Sequence, residues 1–189
     1  MKEKTHLGNR LLSVLLTFLM LLSLLPSAAL AADTQQIALM AVTQNGFLIE
    51  PEYVTYHSGD TVKDVLKKSG HTFSGIDSGY ITAVDDTTDN FSIHYDEDGY
   101  KLDQSADGLT AIWFTTNSDQ SHGANLQKLA ANMAVYNTAT NGLKDYKAAQ
   151  EAYDAAVKGF YAATDTKAKT LNDALFSAID KHAKFLEGK

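Results

Sequence analysis

The segment His94-Tyr95-Asp96-Glu97-Asp98-Gly99-Tyr100 sets three acids beside a glycine, the residue types of a calcium loop. An EF-hand-type loop needs oxygen ligands at its first, third and fifth positions, glycine at the sixth and a bidentate glutamate at the twelfth. With Gly99 sixth, Asp96 and Asp98 fall correctly, but His94 stands first and Ser105 twelfth. A two-residue hairpin turn at Asp98-Gly99 fits the residues better. In that register Tyr95 faces Leu102, Asp96 faces Lys101 and His94 faces Asp103, so apolar and oppositely charged partners meet. The segment reads as a turn, and no metal is expected there.

Other chemistry is sparse. Asp85-Asp86-Thr87-Thr88-Asp89-Asn90 offers oxygen atoms without a usefully spaced glycine, and reads as a solvated loop between strands. His57, His71, His94, His122 and His182 include no i, i+4 pair and no HExxH, so a zinc hydrolase is unsupported. His182 sits on an apolar helical stripe and reads as a core-edge residue. No GxSxG elbow or phosphate-cradling glycine loop occurs. The chain is therefore expected to be no enzyme and to need no cofactor. Aromatic residues remain as ligand-binding candidates, namely Trp113 and Tyr80. Alternation along Ala111-Ile112-Trp113-Phe114 sends Trp113 to the face opposite Ile112 and Phe114. That face is either open to a ligand or covered by the helical half of the chain.

The elements that must position these residues divide in two. Residues 33–117 are β-rich, with strands expected at Ile37–Thr43, Phe47–Tyr56, Tyr80–Val84, Phe91–Asp96 and Ala111–Thr116. Pro51 makes the second strand an edge strand or splits it. One helix interrupts them, with capping oxygens in Ser58-Gly59-Asp60-Thr61, an apolar stripe at Val62, Val65 and Leu66, and Gly70 as its stop. Residues 121–189 turn alanine-rich and helical in period. Their stripes are Leu126–Tyr136, Tyr146–Phe160 and Leu171–Phe185, the last entered through Thr164-Asp165-Thr166. Three single-striped helices with short connections bury one another as an antiparallel bundle. The expected fold class is α+β: a β-grasp-like sheet with one helix, followed by a three-helix bundle or spacer.

The first 31 residues read as a leader rather than as fold. Lys2, Lys4 and Arg10 precede the apolar run Leu11–Leu25, and Ala29-Leu30-Ala31 supplies the small-residue cleavage pattern. The full chain of 189 residues carries a net charge of −7. Without the leader, which holds Glu3 and those three basic residues, 13 basic residues face 22 acidic ones, a net of −9. An acidic surface argues against nucleic acid or anionic membrane as partner, leaving the leader as the sole membrane contact. The sequence has no cysteine, which excludes disulfides, thiol nucleophiles, zinc–thiolate sites and lipoprotein attachment. This composition fits an extracellular or cell-surface product of a bacterium, most easily a Gram-positive one.

The run FLIEPEYVTYHSGDTVKDVLKKSG, followed by SGYITAVDD, resembles the transcobalamin C-terminal-like β-grasp domain found in many secreted bacterial proteins. Gly59-Asp60-Thr61-Val62, Leu66-Lys67-Lys68, Gly70 and Gly79-Tyr80-Ile81 carry the likeness, which extends over residues 37–117. Where that family continues into a tryptophan- and tyrosine-rich strand ending in Asn-Gly, this chain has FSIHYDEDGYKLD. The resemblance implies a β-grasp fold and an extracellular binding or adhesion role, toward a glycan, a protein or a small ring-shaped ligand. Capture of a cobalamin-like ligand for uptake is the alternative it implies.

Overall fold

The computed structural model describes residues 34–94, 101–120 and 123–188. The expected leader, the turn expected at Asp98-Gly99 and His122 lie outside the described residues. The architecture is mixed α+β. A four-stranded mixed sheet is built from β1 (Thr34–Thr43), β2 (Gly46–His57), β6 (Ser92–His94) and β7 (Ala111–Thr115), in the order β2-β1-β7-β6. β1 runs antiparallel to β2 and parallel to β7, which in turn runs antiparallel to β6. A small second sheet joins β3 (Phe73–Ser74), β4 (Ala83–Val84) and β5 (Thr87–Thr88). Among the described residues there are four α-helices, α1 (Val62–Lys68), α2 (Ala124–Thr138), α3 (Lys147–Phe160) and α4 (Asp165–Glu187). No helix among the described residues is long and apolar enough to cross a membrane.

The run Ile37-Ala38-Leu39-Met40-Ala41-Val42 is buried at every residue, because β1 lies centrally with both faces covered. Ile37, Leu39 and Ala41 point into one core with Ile112 and Phe114 of β7 and Val62, Val65 and Leu66 of α1. Ala38, Met40 and Val42 point into a second core with Ala111, Trp113 and the apolar stripes of α2, α3 and α4. The helical half therefore lies against the sheet, and a boundary at residues 117–121 passes between two parts of one core. α4 packs against both α2 and α3.

Local chemistry explains where these elements begin and end. Thr61 caps α1 by a reciprocal box: its side chain accepts from the Asp64 amide, and the Asp64 carboxylate accepts from the Thr61 amide. Pro51 sits where the β1–β2 register slips between Leu39 and Ala41, so its missing N–H falls at an irregularity of an edge strand. Thr164 caps α4, accepting from the Lys167 amide at 3.3 Å. The start of α2 at Gly123 has no capping side chain of its own. Asp165 supplies one from α4, accepting from the Asn125 amide at 3.0 Å and its side-chain amide at 2.6 Å. Between the same helices, Asn132 donates to Asn172 at 2.8 Å, a polar pair that fixes their register.

Three strand expectations need correction. Tyr80–Val84 is strand only at Ala83–Val84, because a 3-10 turn at Ile76–Ser78 bonds Tyr80 back to Gly75. The acid-rich stretch after it is a tight hairpin rather than a plain loop: β4 and β5 flank Asp85 and Asp86, both with positive φ. The expected pairing of His94 with Asp103 is not formed. His94 pairs with Trp113 in β7, and residues 101–104 form no strand. They turn back onto α1 instead, where the Leu102 and Gln104 carbonyls accept from the Lys63 and Val62 amides, each at 2.9 Å. Leu102 is buried in the core that α1 also joins.

Trp113 is covered by the helices, with its ring edge-on to Phe160 at 6.1 Å. Its Nε1 donates to Gln120 at 3.0 Å, and Gln120 donates to the Phe160 carbonyl at 2.6 Å. This chain links β7 to the last turn of α3. Trp113→Ala should therefore destabilise the protein by about 3–5 kcal/mol, as fully buried tryptophans do. Urea unfolding followed by far-ultraviolet circular dichroism measures this, and a loss under about 1 kcal/mol would show that the helices do not depend on the sheet face.

Candidate functional site

A cleft of about 770 Å³ opens between α1, the 3-10 turn at Ile76–Ser78 and the segment Lys101–Gln104. The turn is bracketed by Gly75 and Gly79, with φ of +83° and +85°. A Cβ at Gly75 would lie 2.1 Å from the Tyr80 carbonyl oxygen, so glycine is required there. The turn carries Asp77, whose carboxylate is 76% exposed. Lys63 and Lys67 stand one helical turn apart on α1, a like-charged pair that is unfavourable without an anion between them. Asp77 supplies it: both Nζ atoms lie 2.9 Å from the same oxygen, Oδ1.

The electrostatics follow from that geometry. Hydrogen bonds from Lys67 and Lys63 pull the Asp77 carboxyl down to about 2, and the Asp77 contact holds Lys63 above the usual lysine range. Both groups are thus fixed in their charged forms across neutral pH. Lys101 and Asp103 also line it, while Ile76 and Leu102 give it an apolar floor that merges with the core on the α1 side.

Tyr80 follows directly on Gly79 and is 69% exposed. Tyr80 is not among the residues that line the cleft, although its neighbour Gly79 is, and Trp113 lies beneath the helices on the face of the sheet away from α1. The two are not brought together. Lys63, Asp77 and Gln104 were not singled out from sequence, and Lys101 and Asp103 were read only as hairpin partners. The legible signal was the like-charged Lys63–Lys67 spacing, together with two glycines bracketing an acid-bearing turn.

A second charged cluster surrounds His71. Its Nδ1 lies 2.5 Å from Asp85 and its Nε2 3.2 Å from Glu52. Asp85 also accepts from the Thr72 amide at 2.8 Å, which helps hold its left-handed backbone. Because the two ring nitrogens face different carboxylates, the three groups cannot converge on one ion. His182 lies at the α4 face, stacked on Tyr146 at 5.6 Å, with Nε2 donating to the Asn141 carbonyl at 3.1 Å. Among the described residues, no group of three or more His, Cys, Asp or Glu side chains could hold a metal ion.

Comparison with protein-family models and with curated protein sequences finds no match for this chain.

The Asp77 ion pairs make a pH prediction. A carboxyl depressed in the folded state contributes stability that is complete above its unfolded value near 4 and lost as pH falls through about 2. With the carboxylate so exposed, the stability change should be small and the titration itself the better readout. Carbon-detected nuclear magnetic resonance should place the Asp77 midpoint near 2 and return it toward the ordinary range in a Lys63→Met, Lys67→Met double variant. A midpoint unmoved by that substitution would disprove the shared contact.

Proposed function

We propose that this chain is an extracellular binding module, exported through its leader and acting at or beyond the cell surface without catalysing a reaction. The sheet with α1 across one face is read as β-grasp-like, supported by a central parallel pair made from its first and last strands. The helices α2, α3 and α4 are read as a three-helix antiparallel bundle that backs the sheet. The site is the open cleft lined by Lys63, Asp77 and the segment Lys101–Gln104.

One observation carries the reading: Asp77 in the cleft is paired with Lys63 and Lys67 and held in its charged form. A general acid or base works best with a pKa near the operating pH. Asp77 at about 2, and Lys63 raised, offer neither. The same groups serve well as fixed hydrogen-bonding partners around an apolar floor, the lining that small-ligand sites use. The cleft's volume also falls in the range of such sites.

Titrating the nitrogen-15-labelled chain with a library of sugars, peptides and small ring compounds tests this. Amide signals of residues 76–80 and 101–104 should move, and every ligand should be recovered intact. Turnover of a library member, or shifts that avoid both segments, would contradict the reading.

A further inference from the structure

We propose that Asn45, in the turn between β1 and β2, is a site of spontaneous modification, at which the side-chain amide is exchanged for a carboxylate. The proposal stands apart from the cleft and from the binding reading. Its ground is the turn Gln44-Asn45-Gly46. Gln44 and Asn45 are both exposed. Among the described residues, the Asn45 carboxamide has no hydrogen-bond partner; only its main-chain amide is bonded, to Thr43 Oγ1. Glycine follows, so no Cβ shields the next main-chain nitrogen, and nothing beyond its chain neighbours lies within 4 Å of where one would stand.

The chemistry needs only water. The Gly46 main-chain nitrogen gives up its proton and attacks Asn45 Cγ. The N–Cγ bond forms, the Cγ–Nδ2 bond breaks, and the displaced amino group takes up that proton and leaves as ammonia. Water then opens the succinimide ring. Attack at Cγ restores the ordinary main chain with aspartate, whereas attack at the main-chain carbonyl carbon routes the chain through Cγ as isoaspartate. Either product adds a negative charge to the turn. Isoaspartate also adds a carbon to the main chain between Thr43 and Gly46, the pair that closes the hairpin. Thr43 Oγ1 braces that pair, donating to the Gly46 carbonyl and accepting from the Asn45 amide, each at 3.1 Å.

The other Asn-Gly step, Asn141-Gly142, is restrained by the fold. Asn141 is half-buried. Its Oδ1 accepts from the Leu143 amide at 3.3 Å, and its main-chain carbonyl accepts from His182 Nε2 at 3.1 Å. Ring closure must turn both groups away from these partners, so the same dipeptide reacts more slowly there.

Holding the purified chain in mildly alkaline buffer, with peptide mass spectrometry and electron-transfer fragmentation at intervals, tests this. In the folded chain, Asn45 should convert to aspartate and isoaspartate about tenfold faster than Asn141. In urea the two rates should draw together, because the fold alone separates them. Asn45→Gln, at an exposed turn position, should remain folded by circular dichroism and abolish isoaspartate in that peptide. Asn45 intact in the folded chain, Asn141 converting as fast as Asn45, or a gap that persists in urea would each overturn the proposal.

Discussion

The structure depends on one strand being buried on both sides. β1 sends Ile37, Leu39 and Ala41 to one core and Ala38, Met40 and Val42 to the other, so every residue of the run faces protein. A strand in that position must be central, and its neighbours must satisfy both of its edges. β2 does so on one side through a hairpin, and β7 on the other through a parallel pairing that needs a long crossover. That crossover contains α1, the small sheet and the Ile76–Ser78 turn, and so it contains most of the cleft.

The cleft is accordingly a by-product of topology with specific tailoring. Chain that must travel from β2 to β7 passes over α1, and residues 101–104 are drawn back onto the helix start by two backbone hydrogen bonds. The two glycines let the intervening turn fold tightly enough to hold Asp77 over a helical lysine pair. On the other face the same strand alternation turns Trp113 inward, where Gln120 satisfies its N–H and the helices exclude water. The core under α1 and the core under the helices thus lie on opposite faces of one sheet, set by the parity of residue number along β1 and β7.

How much of this was legible follows from the range of the interactions. The helices were readable because their apolar stripes are local: Leu126, Leu129 and Met133 mark α2, and Thr164 marks the start of α4. The capping oxygens before Val62 announced α1 for the same reason. The β1–β7 pairing was not legible, since it joins segments about seventy positions apart and leaves no local trace. Lys101–Gln104 was read as a returning strand because its alternation matched Tyr95 and Asp96. In the structure, hydrogen bonding to α1 overrides that pattern. Pattern alone left open whether Trp113 was covered, because an apolar outer face is equally consistent with a bundle or a ligand. The cleft was missed because its charged residues come from three separate segments.

The central claim is that β1 joins two cores into one cooperative structure. Native-state hydrogen exchange measures this directly, by comparing the opening free energies of the β1 amides Ile37–Val42 with those of Leu175–Ile179 in α4. The account predicts that both sets exchange through the same global unfolding event, with matching free energies and matching denaturant dependence. Exchange of the α4 amides at a clearly lower free energy, with β1 still protected, would show helices that fold apart from the sheet and would contradict it.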